Sequence, residues 1–261
     1  MGDNHKKCCS KITFLGTGTS TGVPQLGCNC AVCRSADPHD RRMRCSSLVE
    51  IDGTRILIDC GPDFYFQMLH REFKPFDAVL LTHEHYDHVG GLDDLRPYSI
   101  DTAEKIYCNS TTARHIRERL PYCFESTDIK RLPHLDMNVV EPHETFFVNN
   151  VPVTPLRVYH GKMEILGYRI ADMVYITDMK TIAPEEIGYI RGAKLLVVNA
   201  LRKNPHPTHQ SISEAVDFAK LTGIPTVYFI HMSHEAGLHA ETDRELPENI
   251  RLAYDGLEVN F

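Results

Sequence analysis

Apolar residues fall along the chain in short runs, most with the two-residue alternation or unbroken apolar stretch of a strand rather than the spacing of an amphipathic helix. Residues 12–15, 47–51 and 55–58 read as strands, with Asp52-Gly53 as the hairpin turn between the last two. Residues 78–82 read as a short buried strand ending at His83. Five more strands are expected at 151–158, 166–170, 174–177, 195–198 and 227–230. Helical patterns occupy 64–70, 111–119 and 211–221, the last with Ser211 as N-cap and Glu214 completing a capping box. Strands outnumber helices in both halves, and neither a repeat nor a linker interrupts them. The pattern predicts a layered α/β fold, a single domain over residues 1–261 with residues 1–10 a disordered start. His83, Asp178, Asn199 and His231 each close a predicted strand, and ligands of α/β proteins gather where strand ends converge.

Composition narrows the functions. A chain of 261 residues with 42% hydrophobic and 24% charged residues is ordinary for a globular protein. No run approaches the roughly 18 apolar residues of a membrane span, and the N-terminus lacks a signal-peptide pattern, so no membrane partner and a cytoplasmic location are expected. The net charge of −7 argues against a grip on long nucleic acid. Small anions remain acceptable where bound cations supply local positive charge. Nine cysteines, an odd count, should be reduced, buried or metal-bound rather than paired.

The segment Thr82-His83-Glu84-His85-Tyr86-Asp87-His88-Val89-Gly90-Gly91 places four potential ligands within six positions. Imidazole and carboxylate suit zinc, manganese or iron. A strand ending in a tight turn can send His83 and His85 to one side and Asp87 and His88 to the other, serving two adjacent metals. Gly90-Gly91 should then let a following helix approach closely. A second cluster lies at Gly27-Cys28-Asn29-Cys30-Ala31-Val32-Cys33, the core of a cysteine loop at residues 27–34. Three thiolates this close suggest a tetrahedral structural zinc, with His234 as the candidate fourth ligand.

The H-x-H-x-D-H-x-G-G segment resembles the signature of metallo-β-lactamase-superfamily hydrolases, and the resemblance covers essentially the whole chain. It implies a four-layer αββα sandwich with two central mixed β-sheets. It also implies that His160, Asp178 and His231 complete the ligand set. Metal one would then take His83, His85 and His160, and metal two Asp87, His88 and His231, with Asp178 spanning both. Asp59 matches the family's early aspartate, which orients ligands. The glycine-rich opening Gly16-Thr17-Gly18-Thr19-Ser20-Thr21-Gly22-Val23-Pro24-Gln25, with the cysteine loop, is similar to the cyclic phosphodiesterases of bacterial phosphonate degradation. That branch carries a Cys₃His structural zinc and a catalytic histidine before a helix, a position matched by His209. The glycine-rich opening itself reads equally as a phosphate-facing loop or a plain strand-to-turn connection.

The implied activity is hydrolysis of a small, cyclic phosphodiester by a chain holding two divalent ions, zinc or manganese, and one structural zinc. Two such ions can polarise a phosphoryl oxygen and generate the attacking nucleophile. His209, expected on a mobile loop, would protonate the leaving group, with His206 as stand-in; Asp87 and Asp178 are ligands that could also hold the nucleophile by a hydrogen bond. A homodimer is a further expectation, and nucleic acid is not an expected partner. Three alternatives stay open. A tRNA 3′-end endonuclease would bring a basic arm and a His-Glu-Ala-Thr segment; no arm is found, and Gln210 follows His209. A cofactor-maturation relative of the quinone-biosynthesis type would show a depleted ligand set. A non-catalytic binding module would lack turnover.

Overall fold

The computed structural model describes residues 10–124 and 132–261. Cys8, Cys9 and nearly all of the expected disordered start lie outside the described residues. In the first half, β1 (Ser10–Gly16), β2 (Ser46–Ile51) and β3 (Thr54–Ile58) form an antiparallel meander. Asp52 and Gly53 turn the hairpin, both with positive φ, as expected. The short helices α1 (Phe64–Met68) and α2 (Tyr86–Val89) flank β4 (Ala78–Leu80). Then come β5 (Glu104–Cys108), α3 (Ser110–Arg119) and β6 (Leu135–Val139). Strands β3 to β6 pair in parallel.

The second half repeats this plan. After β7 (Phe146–Val148), strands β8 (Val151–His160), β9 (Met163–Ile170) and β10 (Met173–Ile176) form an antiparallel meander. A two-residue edge strand, β11 (Thr181–Ile182), and α4 (Ile187–Ile190) follow. Then β12 (Leu195–Asn199), α5 (Ile212–Thr222), β13 (Thr226–Ile230), α6 (His239–Glu245) and β14 (Ile250–Leu252) extend the meander by parallel pairing. Finally β15 (Glu258–Asn260) crosses back to pair with β1. The halves share one topology, three antiparallel strands and then three parallel ones.

Both faces of each sheet are buried, which explains the nearly unbroken apolar runs. Alternation then divides each strand between layers. In β3, Ile56 and Ile58 face the second sheet while Leu57 faces α1–α3. In β10, Met173 and Tyr175 face the first sheet while Val174 and Ile176 face α4–α5. The result is the four-layer αββα sandwich with two mixed sheets.

Most expected boundaries shift by one to three residues, and three strands beside the predicted ligands matter most. The strand expected to reach Thr82 ends at Leu80, because Leu81 and Thr82 turn their hydrogen bonds elsewhere: the Tyr168 hydroxyl donates to the Leu81 carbonyl at 2.7 Å and the Leu166 amide to the Thr82 carbonyl at 3.0 Å. Both bonds stitch the first sheet to the second beside the predicted ligand segment. Strands β8 and β9 are longer than expected, meeting in a hairpin at Gly161-Lys162 that makes His160 the last residue of β8. The glycine-rich opening is a packed connector. The amides of Thr17, Gly18 and Thr19 are taken by the Asp255 carboxylate and by the carbonyls of Met43 and Met232, so none of the three faces outward for a phosphate.

Candidate metal centre

Seven of the predicted ligands converge at one end of the two sheets. His83 and the turn through α2 come from the first sheet, and His160, Asp178 and His231 from the ends of β8, β10 and β13. The turn is held by the loop after β3. The Cys60 amide donates to the His88 carbonyl at 2.8 Å and the Gly91 amide to the Cys60 carbonyl at 2.9 Å. A Cβ at Gly61 would overlap the Asp87 carbonyl, and one at Gly91 would overlap the Gly61 carbonyl. The close approach expected of Gly90-Gly91 is thus made by Gly91 against a loop rather than a helix.

Asp59, Asp178 and His231 all have left-handed backbone, with φ of 58°, 55° and 59°. Each lies just past a strand end, where the chain must turn to aim a side chain inward. Such conformations cost of order 1–3 kcal/mol and persist where the surroundings over-determine them.

Asp178 sits at the centre. Its Oδ1 lies 3.1 Å from His231 Nε2 and 3.4 Å from His88 Nε2, and its Oδ2 lies 3.2 Å from His209 Nε2 and 3.8 Å from His83 Nε2. Asp87 Oδ2 approaches His88 Nε2 at 3.2 Å and His231 Nε2 at 3.6 Å. His83 Nε2 faces His85 Nδ1 at 3.0 Å, and the His160 ring lies 5.2 Å from that of His85. Ligand atoms group as Asp87, His88, Asp178 and His231; as His83, His85 and Asp178; and as His160, Asp178 and His209.

The outer partners fix which ring nitrogen points inward. His88 Nδ1 donates to Asp59 Oδ2 at 2.7 Å. His160 Nδ1 lies 2.8 Å from the Asp178 carbonyl and 3.0 Å from that of Thr208, and carbonyls can only accept. The Thr82 hydroxyl donates to the Asp59 carboxylate, leaving its lone pairs to accept from His83 Nδ1 at 3.0 Å. His83, His88 and His160 therefore all turn an unprotonated Nε2 inward when neutral. Among the described residues, His88 Nε2 and both His231 ring nitrogens find no hydrogen-bond partner although buried. Buried lone pairs and carboxylates converging with too few donors are what a divalent cation satisfies, and the ligand set fits two such ions.

The carboxylates of the site draw positive charge to it. Burial holds His83 well below the ordinary histidine range, with the charge of His88 adding to it. Burial also opposes charge on His88, but Asp87, Asp178 and Asp59 outweigh it and hold the ring well above that range. Burial acts against ionised Asp178 as well, yet His231 and His88 keep its carboxyl well below the usual carboxylate range.

His209 is better fixed than expected. Its loop is pinned by Gln210, whose amide donates to the Met179 carbonyl and whose carbonyl accepts the Leu201 amide, so it is not a free loop. Burial pushes the ring down to about 4, against the opposing pull of Asp178. His206 Nδ1 lies 3.2 Å from His209 Nδ1, outside the cluster. Asn199 spends its side chain on Met179, accepting from the Met179 amide at 2.8 Å and donating to the Met179 carbonyl at 3.0 Å.

Sequence reasoning missed three threonines. Thr82, Thr177 and Thr208 each stand one residue before a side chain of the cluster. Their hydroxyls contact His83 Nδ1 at 3.0 Å, Asp178 Oδ1 at 2.7 Å and His209 Nδ1 at 3.0 Å. The recurring Thr-His and Thr-Asp dipeptides were the available signal.

The cysteine loop forms a separate cluster. Cys28, Cys30, Cys33 and His234 bring four ligand atoms within 4.8 Å of one another. His234 Nδ1 lies 3.2 Å from Cys28 Sγ and 3.4 Å from Cys30 Sγ. The Cys33 amide, followed by His234, lowers the Cys30 thiol to about 6, which favours the thiolate that metals bind. Burial pushes Cys33 up to about 11.

Comparison with known proteins gives the same fold. A family model for the β-lactamase superfamily domain matches residues 54–232. A crystal structure of a diphosphatase from the PhnP family is 40% identical, covers 97% of both chains and superposes with a TM-score of 0.90. Zinc-bound PqqB from Methylobacterium extorquens shares the fold at 20% identity and a TM-score of 0.78, covering 96% of this chain and 100% of that one. The octanoyltransferase of Porphyromonas gingivalis is 48% identical over 251 residues, covering 95% of this chain. The chain spans 51% of that protein's length, so the name describes a molecule about twice as long. No helix among the described residues is long and apolar enough to cross a membrane.

Proposed function

The chain belongs to the metallo-β-lactamase superfamily, and from that premise we propose that it is a metal-dependent hydrolase of small phosphodiesters, cyclic ones foremost. The observation that carries this reading is the Asp178 carboxylate, whose two oxygens face different groups of histidines. His83, His85 and His160 would hold one ion, Asp87, His88 and His231 a second, and Asp178 both. Two bound ions supply Lewis-acid polarisation of the phosphoryl group and a nucleophile at neutral pH.

The chain's own residues do the rest. Asp59 and Thr82 lock the rings of His88 and His83, so their lone pairs need no reorganisation when an ion arrives. Asp178 is held ionised against burial by positive charge on His231 and His88, a charge that bound ions would replace once those rings give up their protons. His209 presents Nε2 beside Asp178 and anchors Nδ1 on Thr208 and His206. A proton held at Nε2 can pass to the departing oxygen. An anionic phosphoryl group beside that nitrogen has the same sign as Asp178 and raises the pKa, so the acid form accompanies substrate. Cys28, Cys30, Cys33 and His234 would hold a structural zinc.

The 40% identical diphosphatase favours a second reading, cleavage of a substituted diphosphate, in which the same groups attack one phosphorus and release a phosphate rather than an alcohol. The test is a panel of cyclic diesters, linear diesters, substituted diphosphates and a tRNA precursor, assayed with zinc and with manganese and paired with elemental analysis. We expect about three ions per chain, turnover of small diesters above that of tRNA, and loss of about one ion with abolished turnover in Asp87→Asn. Full activity without divalent metal, or in Asp87→Asn, would sink the reading.

A further inference from the structure

Segment 201–212 connects the two clusters, and one side chain organises the connection. The Arg202 guanidinium forks to three acceptors. Nη1 reaches Glu235 Oε2 at 2.6 Å, Nη2 the Pro205 carbonyl at 3.0 Å and Nε the Asn204 carbonyl at 3.3 Å. Glu235 directly follows His234 of the cysteine cluster. Asn204 and Pro205 open the loop that carries His206 and His209. Backbone bonds run in the same two directions. The Ser233 amide donates to the Leu201 carbonyl and the Lys203 amide to the Glu235 carbonyl, while the Leu201 amide reaches the Gln210 carbonyl and the Ile212 amide the Arg202 carbonyl. Residues 203–205 and 207 are otherwise exposed. Pro205 and Pro207 have no amide hydrogen to anchor, so between Lys203 and Gln210 the loop backbone is held from outside by Arg202 on the carbonyls of Asn204 and Pro205 and by His160 Nδ1 on that of Thr208.

We propose that Arg202 is a positioning residue that couples the Cys28/Cys30/Cys33/His234 cluster to His209, so that an intact cysteine cluster sets the placement of the proton donor. The consequence for rate rests on the reading of His209 given above; the mechanical coupling does not. An isolated ion pair at a half-exposed glutamate adds little stability, so Arg202 matters through geometry. Misplacing a reacting group by about 1 Å can cost up to roughly a hundredfold in rate. A lysine cannot replace the fork, because one ammonium does not reproduce three divergent planar donors.

The test measures backbone hydrogen exchange over residues 203–210 in the metal-loaded parent, Arg202→Ala, Arg202→Lys, Glu235→Gln and Cys33→Ser, alongside metal content and kinetics. Exchange should accelerate in all four variants, least in Glu235→Gln, which keeps the fold intact because the residue is exposed. The two ions of the His/Asp centre should be retained. For an alkyl diester, kcat should fall about ten- to a hundredfold in Arg202→Ala with KM nearly unchanged, and for a nitrophenyl diester much less. Unchanged exchange in Arg202→Ala, or faster exchange there but not in Cys33→Ser, overturns the coupling. Equal kcat losses on both diesters overturn its link to protonation. If the parent cleaves no diester, the functional reading fails, while the exchange data still decide the coupling.

Discussion

Three threonines standing one residue ahead of His83, Asp178 and His209 show how the centre is assembled at the smallest scale. The hydroxyls of Thr82 and Thr208 take the outward ring nitrogen of the next histidine and leave the inward one for the cluster, while that of Thr177 donates to Asp178 Oδ1, the oxygen that faces His88 and His231. For His209 the outward atom is Nδ1, and the inward Nε2 meets Asp178 at 3.2 Å. This orientation makes His209 the group to test for proton transfer. His209→Ala should retain both ions of the centre and lose about a hundred- to ten-thousandfold in kcat on an alkyl diester. The loss should shrink on a nitrophenyl diester, whose leaving group departs without a proton. Equal losses on the two substrates in steady-state assays would leave His209 a substrate-positioning residue.

At the scale of elements, helix α5 begins three residues after His209 and anchors its loop. The Ser211 hydroxyl caps the helix and Glu214 reaches back to the Ser211 amide at 2.8 Å, while Glu214 also meets Lys180 Nζ at 2.7 Å. Ser211→Ala removes a buried cap of this kind and should cost about 1 kcal/mol. For a chain of this size that lowers Tm by about 2–4 °C, readable by scanning calorimetry. A Tm unchanged within error would mean that tertiary contacts hold the helix start without the cap. This element was legible in the sequence because capping is local: serine, then glutamate three residues on, then an apolar stripe. The ligand motif was legible for the same reason, four potential ligands within six positions. What could not be read was whatever depends on pairing. Leu81 and Thr82 continue an apolar run, so their departure from β4 to serve Tyr168 and Leu166 leaves no trace in periodicity. The polar stretch at Gly161-Lys162-Met163-Glu164 hid the hairpin that ends β8 on His160. Arg202 carries no signal in the sequence, because only the fold brings Glu235 to it.

At the scale of the whole molecule, the repeated topology explains why the centre lies where it does. Asp59 follows β3 and Asp178 follows β10, the third strands of equivalent meanders, and both turn with positive φ. One aspartate braces His88 from behind while its counterpart stands among the histidines. The repeat had no signature in residue identity, since the halves share strand order rather than sequence. The centre therefore draws His83, His85, Asp87 and His88 from one half and His160, Asp178 and His231 from the other. Any ion held by this set binds only when the two sheets are packed together, so its binding free energy adds to the stability of their association. Free metal at a hundred to a thousand times its dissociation constant contributes about 2.7–4.1 kcal/mol to the folded state. With about 2–4 °C per kcal/mol for a chain of this size, chelation should lower Tm by roughly 5–16 °C. Both sheets should still melt in one transition, because the Tyr168–Leu81 and Leu166–Thr82 bonds and the shared apolar layer remain. Zinc or manganese should restore the Tm in the parent but only partly in Asp178→Asn. A melting temperature indifferent to chelator and to added metal would show that the ligands do not join the halves through an ion.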